Sequence, residues 1–342
     1  MKQFFKFVFA TIVGIVILTI LLFVIVIGIA VGLSGDKTVD VASNSVMRIA
    51  LTGDIKERTP NNPLAAFGFL GFDEHKAIGL NDILANIKKA KTDDHIKGIF
   101  LDESYMLTGQ ATTEEIRNAL IDFKKSGKFI VAYGEIYTQS FYYLASVADK
   151  IYLNPKGIFE FHGFSSKIMF YKGAMDKLGI EAQVIKVGTY KSAVEPYFLT
   201  KMSDANRMQV TSYLGSMYDH FLTGISVNRK INKDSLFNIA NNMLVRNPED
   251  AVKYRLIDGL KYKDELLDDL KTRTGISQKS NIKSVEIADY TKAVSDDKDT
   301  TSTNGRIAIV YASGEIAGGD WGWSGFYIVG ADGAGVEREC EA

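Results

Sequence analysis

The chain has 342 residues, 46% of them hydrophobic, which is enough to bury a sizeable core and to form more than one unit. Its 40 Lys and Arg against 41 Asp and Glu leave a formal net charge of −1, so nothing in the charge balance points to nucleic acid as a partner. Cys340 is the only cysteine, which excludes a disulfide framework or a thiolate metal site within one chain, and His75, His95, His162 and His220 show no metal-ligand spacing; no metal or cofactor is expected.

Residues 1–6 carry Lys2 and Lys6, and residues 7–33 carry no charge at all. As a helix that span measures ~40 Å, more than the ~30 Å of a bilayer's hydrocarbon core. Ala30-Val31-Gly32 offers a small-residue cleavage site, and a removed signal sequence is the alternative reading. The apolar region of such a signal is only ~7–15 residues, so the span reads as a membrane anchor. With basic residues before it and Asp36 after it, the N-terminus is expected in the cytoplasm and the rest of the chain across the membrane. Residues 34–45 then read as a short linker and residues 46–295 as a first domain.

Within that domain, Met47–Ile55 is expected as a first strand and its turn. Pro60, Pro63 and the run from Phe67 to Phe72 read as a loop. Leu80, Ile83, Leu84 and Ile87 recur at helical spacing, and Lys97–Leu101 is a short buried strand. Thr112 and Glu115 form a capping box that should open a helix carrying Ile116, Leu120 and Phe123, ending at Gly127. Phe129–Tyr133 is the next strand. Strands and helices alternating at this interval imply a parallel sheet with right-handed crossovers. Further on, Ala182–Val187 alternates with period two and is expected as a half-buried strand. It would deliver Lys191, in Gly188-Thr189-Tyr190-Lys191-Ser192-Ala193-Val194-Glu195-Pro196, to a sheet edge where sites in open α/β folds collect. Asn247-Pro248-Glu249-Asp250 caps a helix expected to close near Gly259. Residues 296–305 are polar and read as a linker. Residues 306–342 open with Arg306-Ile307-Ala308 and reach Gly314-Glu315-Ile316, echoing Arg48-Ile49-Ala50 and Gly53-Asp54-Ile55. They read as the start of a second copy of the domain, although a chance match of two short strands also fits.

The segment around Lys191 resembles the lysine-bearing segment of protease IV, the long two-domain form of bacterial signal peptide peptidase. Tyr133–Ser140, Tyr142–Ser146, Asp149–Pro155, Phe161–Phe164, Tyr171-Lys172 and Asp176–Gly179 continue the likeness in order, over roughly residues 1–315. The resemblance implies a ClpP/crotonase-like α/β spiral of ββα units, and it implies that Lys191 is the general base of a Ser/Lys dyad. It further implies cleaved signal peptides as substrates, the bacterial inner membrane as location, and a homo-oligomer, a tetramer at full length. Gly188, Tyr190, Ser192, Glu195 and Ser140 are then candidates to support the site or line a substrate groove. The bland alternative has Lys191 pairing with Glu195 on the surface.

The nucleophile is the gap. In the family it sits in a Gly-rich turn of the second half, whereas the residues after Ile316 hold both tryptophans and Cys340 and do not resemble that half. A frameshift or fragment end is the expectation here. Ser324 lacks the strand-to-helix setting that aims a hydroxyl and supplies oxyanion donors. Ser192 is adjacent to Lys191, and side chains of adjacent residues diverge. Two other readings stay open: a non-catalytic membrane-anchored scaffold, and an acyl-CoA enzyme of the crotonase type, against which the anchor argues.

Overall fold

The computed structural model describes residues 2–33, 38–51, 55–59, 78–102, 106, 108–293, 311–313, 327–329 and 335–336. Two compact units emerge, Met1–Ser295 and Asp296–Ala342. The first opens with helix α1 (Lys2–Leu33), whose side chains from residue 3 to 25 are all exposed. The stretch Gln3–Ile25 is long and apolar enough to cross a membrane, a test that a signal sequence also passes.

Strands and helices then alternate: β1 (Ser45–Ile49), α2 (Leu80–Thr92), β2 (Ile96–Asp102), α3 (Gln110–Lys124), β3 (Phe129–Tyr137), α4 (Gln139–Ala145) and β4 (Lys150–Phe159). A largely helical stretch follows, with α5 (Lys172–Lys177), α6 (Glu195–Phe198), α7 (Asp204–Arg229), α8 (Lys233–Asn241) and α9 (Pro248–Lys253). β5 (Gly259–Leu260), α10 (Lys263–Thr274), β6 (Ser284–Glu286) and α11 (Ile287–Tyr290) complete the unit. The six strands form one sheet in the order β5-β4-β3-β2-β1-β6, and every pairing is parallel. This parallel α/β sheet with its helices agrees with the ClpP/crotonase-like class expected from the sequence.

The alternation of side chains along each strand decides which layer they serve. Ile99, Leu101, Ile130 and Ala132 join the larger core with Ile83 and Ile87 of α2 and Ile116, Leu120 and Phe123 of α3. Phe100, Val131 and Tyr133 point the other way, into a smaller cluster closed by Leu266 and Leu270 of α10. Across the β3–β4 pairing, Gly134 faces Leu153 and Ile136 faces Ile158, so the chain bulges around Pro155, which has no N–H to give a ladder. Gly157 sits in that bulge, where a Cβ would lie 2.5 Å from the Glu135 carbonyl oxygen.

Three expectations are corrected. The helix expected from the Thr112–Glu115 box starts earlier, at Gln110 with Gly109 as its cap residue; the Thr113 N–H already bonds the Gly109 carbonyl at 3.0 Å, leaving Thr112 inside the helix. Asn247 does cap a helix through a reciprocal box with Asp250, but α9 ends at Lys253. Arg255 then turns the chain with φ +60°, and Gly259 belongs to β5. Ala182–Val187 forms no strand: it lies off the sheet, without a ladder partner, and Ile185 and Val187 are 97% and 84% exposed. Gly53-Asp54, residues 60–77 with their Pro and Phe positions, residues 296–310, Gly314–Ile316, Ser324, Trp321, Trp323 and Cys340 lie outside the described residues.

The last turns of the first unit are tied to its start. Val39 N–H donates to the Lys292 carbonyl at 3.2 Å, and Val39 bridges Ala293 in parallel. Asn86 donates to the Ile287 carbonyl (2.9 Å) and Thr291 Oγ1 (2.7 Å), and the Tyr290 hydroxyl donates to Asp93 Oδ2 (2.7 Å). In the second unit, β7 (Tyr311–Ser313), β8 (Tyr327–Val329) and β9 (Gly335–Val336) pair antiparallel, unlike the parallel pairing of β1.

Candidate active site

Lys191 stands in a turn that begins at Gly188, whose φ of +100° is open to glycine and strained for other residues. The Lys191 N–H reaches the Gly188 carbonyl at 3.4 Å, Ser192 N–H the Tyr190 carbonyl at 3.1 Å, and Glu195 N–H the Ser192 carbonyl at 3.0 Å. Lys191 is exposed and, among the described residues, its ammonium has no ion-pair partner. It opens on a surface depression of about 530 Å³ lined by Ile185, Val187, Tyr190, Ser192 and Val194 among others. Tyr190 is 53% exposed and Ser192 half-buried. Gly188 lines a neighbouring depression of about 460 Å³ together with Lys186, Glu195 and Ser203.

Glu195 does not pair with Lys191. Its side chain is buried and accepts from Ser203 Oγ at 2.6 Å, Ser203 N–H at 3.2 Å and Asn206 Nδ2 at 2.9 Å. Ser203 is itself the N-cap of α7, accepting from the Asn206 N–H at 3.2 Å. Burial pushes the Glu195 carboxyl up, but the donors on Ser203 and Asn206, with Lys186 nearby, outweigh it and hold the carboxyl below its ordinary range. Glu195 thus fastens the lysine turn to the start of α7. A second fastening comes from Tyr171, whose N–H bonds the Pro196 carbonyl (2.8 Å) and whose ring stacks on Tyr197 at 5.9 Å.

Ser140 is elsewhere. It lies in the first turn of α4, just past the end of β3, on the wall of a cavity of about 150 Å³ that shares no residue with either depression beside Lys191. Of the candidate residues, Lys191, Tyr190 and Ser192 share one depression, Gly188 and Glu195 the adjoining one, and Ser140 stands apart. The cavity's aromatic floor, Tyr143 and Phe221 with Phe164, was invisible in sequence because these residues come from α4, α7 and the segment after β4, separated along the chain. Behind the floor, the Tyr143 hydroxyl donates to Glu114 Oε2 at 2.5 Å, His220 Nε2 lies 3.2 Å from the same oxygen, and the Arg117 guanidinium sits 4.5 Å from the Tyr143 ring centre. Among the described residues no group of His, Cys, Asp and Glu could hold a metal ion.

The profile of Peptidase family S49 matches residues 122–277, from the end of α3 to just beyond α10. The chain therefore carries a peptidase family S49 domain, and both Lys191 and Ser140 fall within it. Among its relatives, "Protease 4" of Salmonella typhi is 32% identical over 316 residues, covering 87% of this chain and 50% of that protein. "Protease 4" of Haemophilus influenzae is 30% identical over 317 residues, covering 88% and 50%. "Serine protease SPPA, chloroplastic" of Arabidopsis thaliana is 28% identical over 277 residues, covering 81% and 39%. The chain spans about half the length of the two bacterial relatives.

Proposed function

We propose that this chain is the lysine-bearing part of a membrane-anchored serine peptidase in which Lys191 is the general base. The observation that carries the reading is the Lys191 turn: it is fixed by Glu195 and Tyr171, lies inside the S49 match, and presents to an open depression an ammonium with no ion-pair partner among the described residues. A lysine works as a base only when unprotonated, and loss of water around it favours that form. Lys191 is exposed, so the proposal requires a further surface to close over it. Ile185, Val187 and Tyr190 are apolar and exposed around that depression, which fits a face that another piece of protein covers. A second domain, as the relatives' greater length allows, or another copy in a homo-oligomer would supply that cover, together with the nucleophilic serine.

In this mechanism Lys191 takes the serine proton as the oxygen attacks a peptide carbonyl and returns it to the leaving amine; water then repeats the cycle. The substrates are cleaved signal peptides, apolar and extended, met at the inner membrane where α1 anchors the chain with its N-terminus in the cytoplasm. Positioned proton transfer is worth ~10²–10⁴-fold. Peptide cleavage by the gene's full product, with and without Lys191→Arg, tests the assignment, because a guanidinium stays protonated. Cleavage surviving that change would refute it. A non-catalytic scaffold is the second reading. It is favoured by one observation: among the described residues, no serine but Ser192 lines the depression at Lys191.

A further inference from the structure

We propose that the cavity beside Ser140 is a binding subsite for one uncharged apolar side chain of an extended peptide, separate from the Lys191 turn. The proposal deepens the peptidase reading and rests on it for the ligand being a peptide. The cavity stands at the C-terminal end of β3, where open α/β sheets place their ligands, and it is built from α3, α4, the segment after β4, and α7. Its volume of about 150 Å³ is that of a site able to hold a benzene-sized group. Phe221 and Tyr143 are each 2% exposed and form a rigid floor, with half-buried Phe164 as one wall.

The rim is polar but carries no formal charge: Gln110, Thr113, Gln139 and Ser140. Two of these are already engaged. The Gln139 side chain spans to His162, with Nε2 3.3 Å from Nδ1 and Oε1 accepting the His162 N–H at 3.2 Å, and Thr113 Oγ1 donates to the Gly109 carbonyl at 3.0 Å. The Ser140 hydroxyl and the Gln110 carboxamide make no hydrogen bond to another described residue. They are placed to meet the N–H and C=O of a peptide main chain whose side chain enters the cavity. Glu114 and Arg117, which touch Tyr143, are spent behind the floor on Tyr143, His220 and the Gly224 carbonyl (2.8 Å), and among the described residues none that lines the cavity carries a charge to neutralise a charged side chain. Such a pocket accepts Leu or Phe, rejects Lys for want of a counter-charge, and is too small for Trp.

The test uses the full chain in lipid nanodiscs and fluorescein-labelled, end-blocked peptides Ser-Ala-X-Ala-Ser with X as Gly, Leu, Phe, Trp or Lys, read by fluorescence anisotropy. Burying the side chain predicts roughly 10- to 100-fold tighter binding for Leu and Phe than for Gly, with Lys and Trp no better than Gly. Ser140→Leu, at an exposed position, blocks the mouth and should erase the dependence on X; Phe164→Ala widens the cavity and should let Trp bind like Leu. Binding independent of X in the unaltered chain would overturn the proposal, as would an X-dependence unchanged by both variants. Anisotropy needs no turnover, so a failure here leaves the Lys191 assignment standing, and a failed cleavage test leaves this one standing.

Discussion

Replacing Glu195 by alanine tests how the lysine turn is held. The change removes the acceptor of three hydrogen bonds, from Ser203 Oγ, Ser203 N–H and Asn206 Nδ2, and strands their donors. Hydrogen bonds to a charged partner contribute ~1.5–3 kcal/mol each. They are not additive when they share one carboxylate, and this one lies under a thin layer of chain rather than deep in the core, so a total of about 2–4 kcal/mol is expected. The lysine turn is a local unit that opens without the sheet, so the loss should appear as local opening. Hydrogen exchange over residues 188–207 reads it: protection of the Glu195, Leu199 and Arg207 amides, bonded at 3.0, 2.9 and 2.8 Å, should fall by roughly 30- to 1000-fold while β2 and β3 keep theirs. The pH dependence has a definite sign. A carboxyl held below its ordinary range stabilises fully above its unfolded value of ~4.3, and the contribution fades as pH falls through the lower folded value. Below that value the unaltered chain should open more readily than it does at pH 7, while Glu195→Ala lacks this pH step. Protection at pH 7 that stays within twofold in Glu195→Ala would refute the claim that Glu195 fixes the site.

Other outcomes follow from the same geometry. Gly157→Ala puts a Cβ 2.5 Å from the Glu135 carbonyl oxygen and 2.6 Å from Leu153 Cδ1, and should lower stability by about 1–3 kcal/mol in thermal melts. Tyr290→Phe removes the donor to Asp93 and should cost about 1–2 kcal/mol in urea unfolding at neutral pH. Burial pushes the Asp93 carboxyl up, but Tyr290 and His95 outweigh it and hold it below its ordinary range; the Tyr290→Phe deficit should therefore shrink as pH falls below ~3.9 and Asp93 gains its proton. Deleting residues 2–33 should abolish flotation with liposomes if α1 is the anchor, and unchanged flotation would refute that role.

Sequence patterning revealed the sheet more readily than the site. Ile99, Leu101, Ile130 and Ala132 sit in runs whose only stable placement is between two layers, and β2 and β3 formed where the pattern put them. The Asn247–Asp250 box was legible because every contact it needs lies within four residues. Period-two alternation misled at Ala182–Val187, because a strand also needs a neighbour to bond, and no pattern within a segment reports that. The turn carrying Lys191 was legible from Gly188 and Pro196, whereas the burial of Glu195 depends on Ser203 and Asn206 and could not be read from the turn itself. The cavity at Ser140 is harder still: its walls come from α3, α4 and α7, and only the fold brings them together.

The bridge between Val39 and Ala293 has a mechanical consequence. The polypeptide arrives at the sheet and departs from it at one place, like a bead strung through a single eyelet. Tension applied along the chain from either side is shared at that eyelet, by the Val39–Lys292 bond, the Asn86 bonds from α2 and the bond of Lys89 Nζ to the Tyr290 carbonyl (3.2 Å), before it reaches β3 or the Lys191 turn.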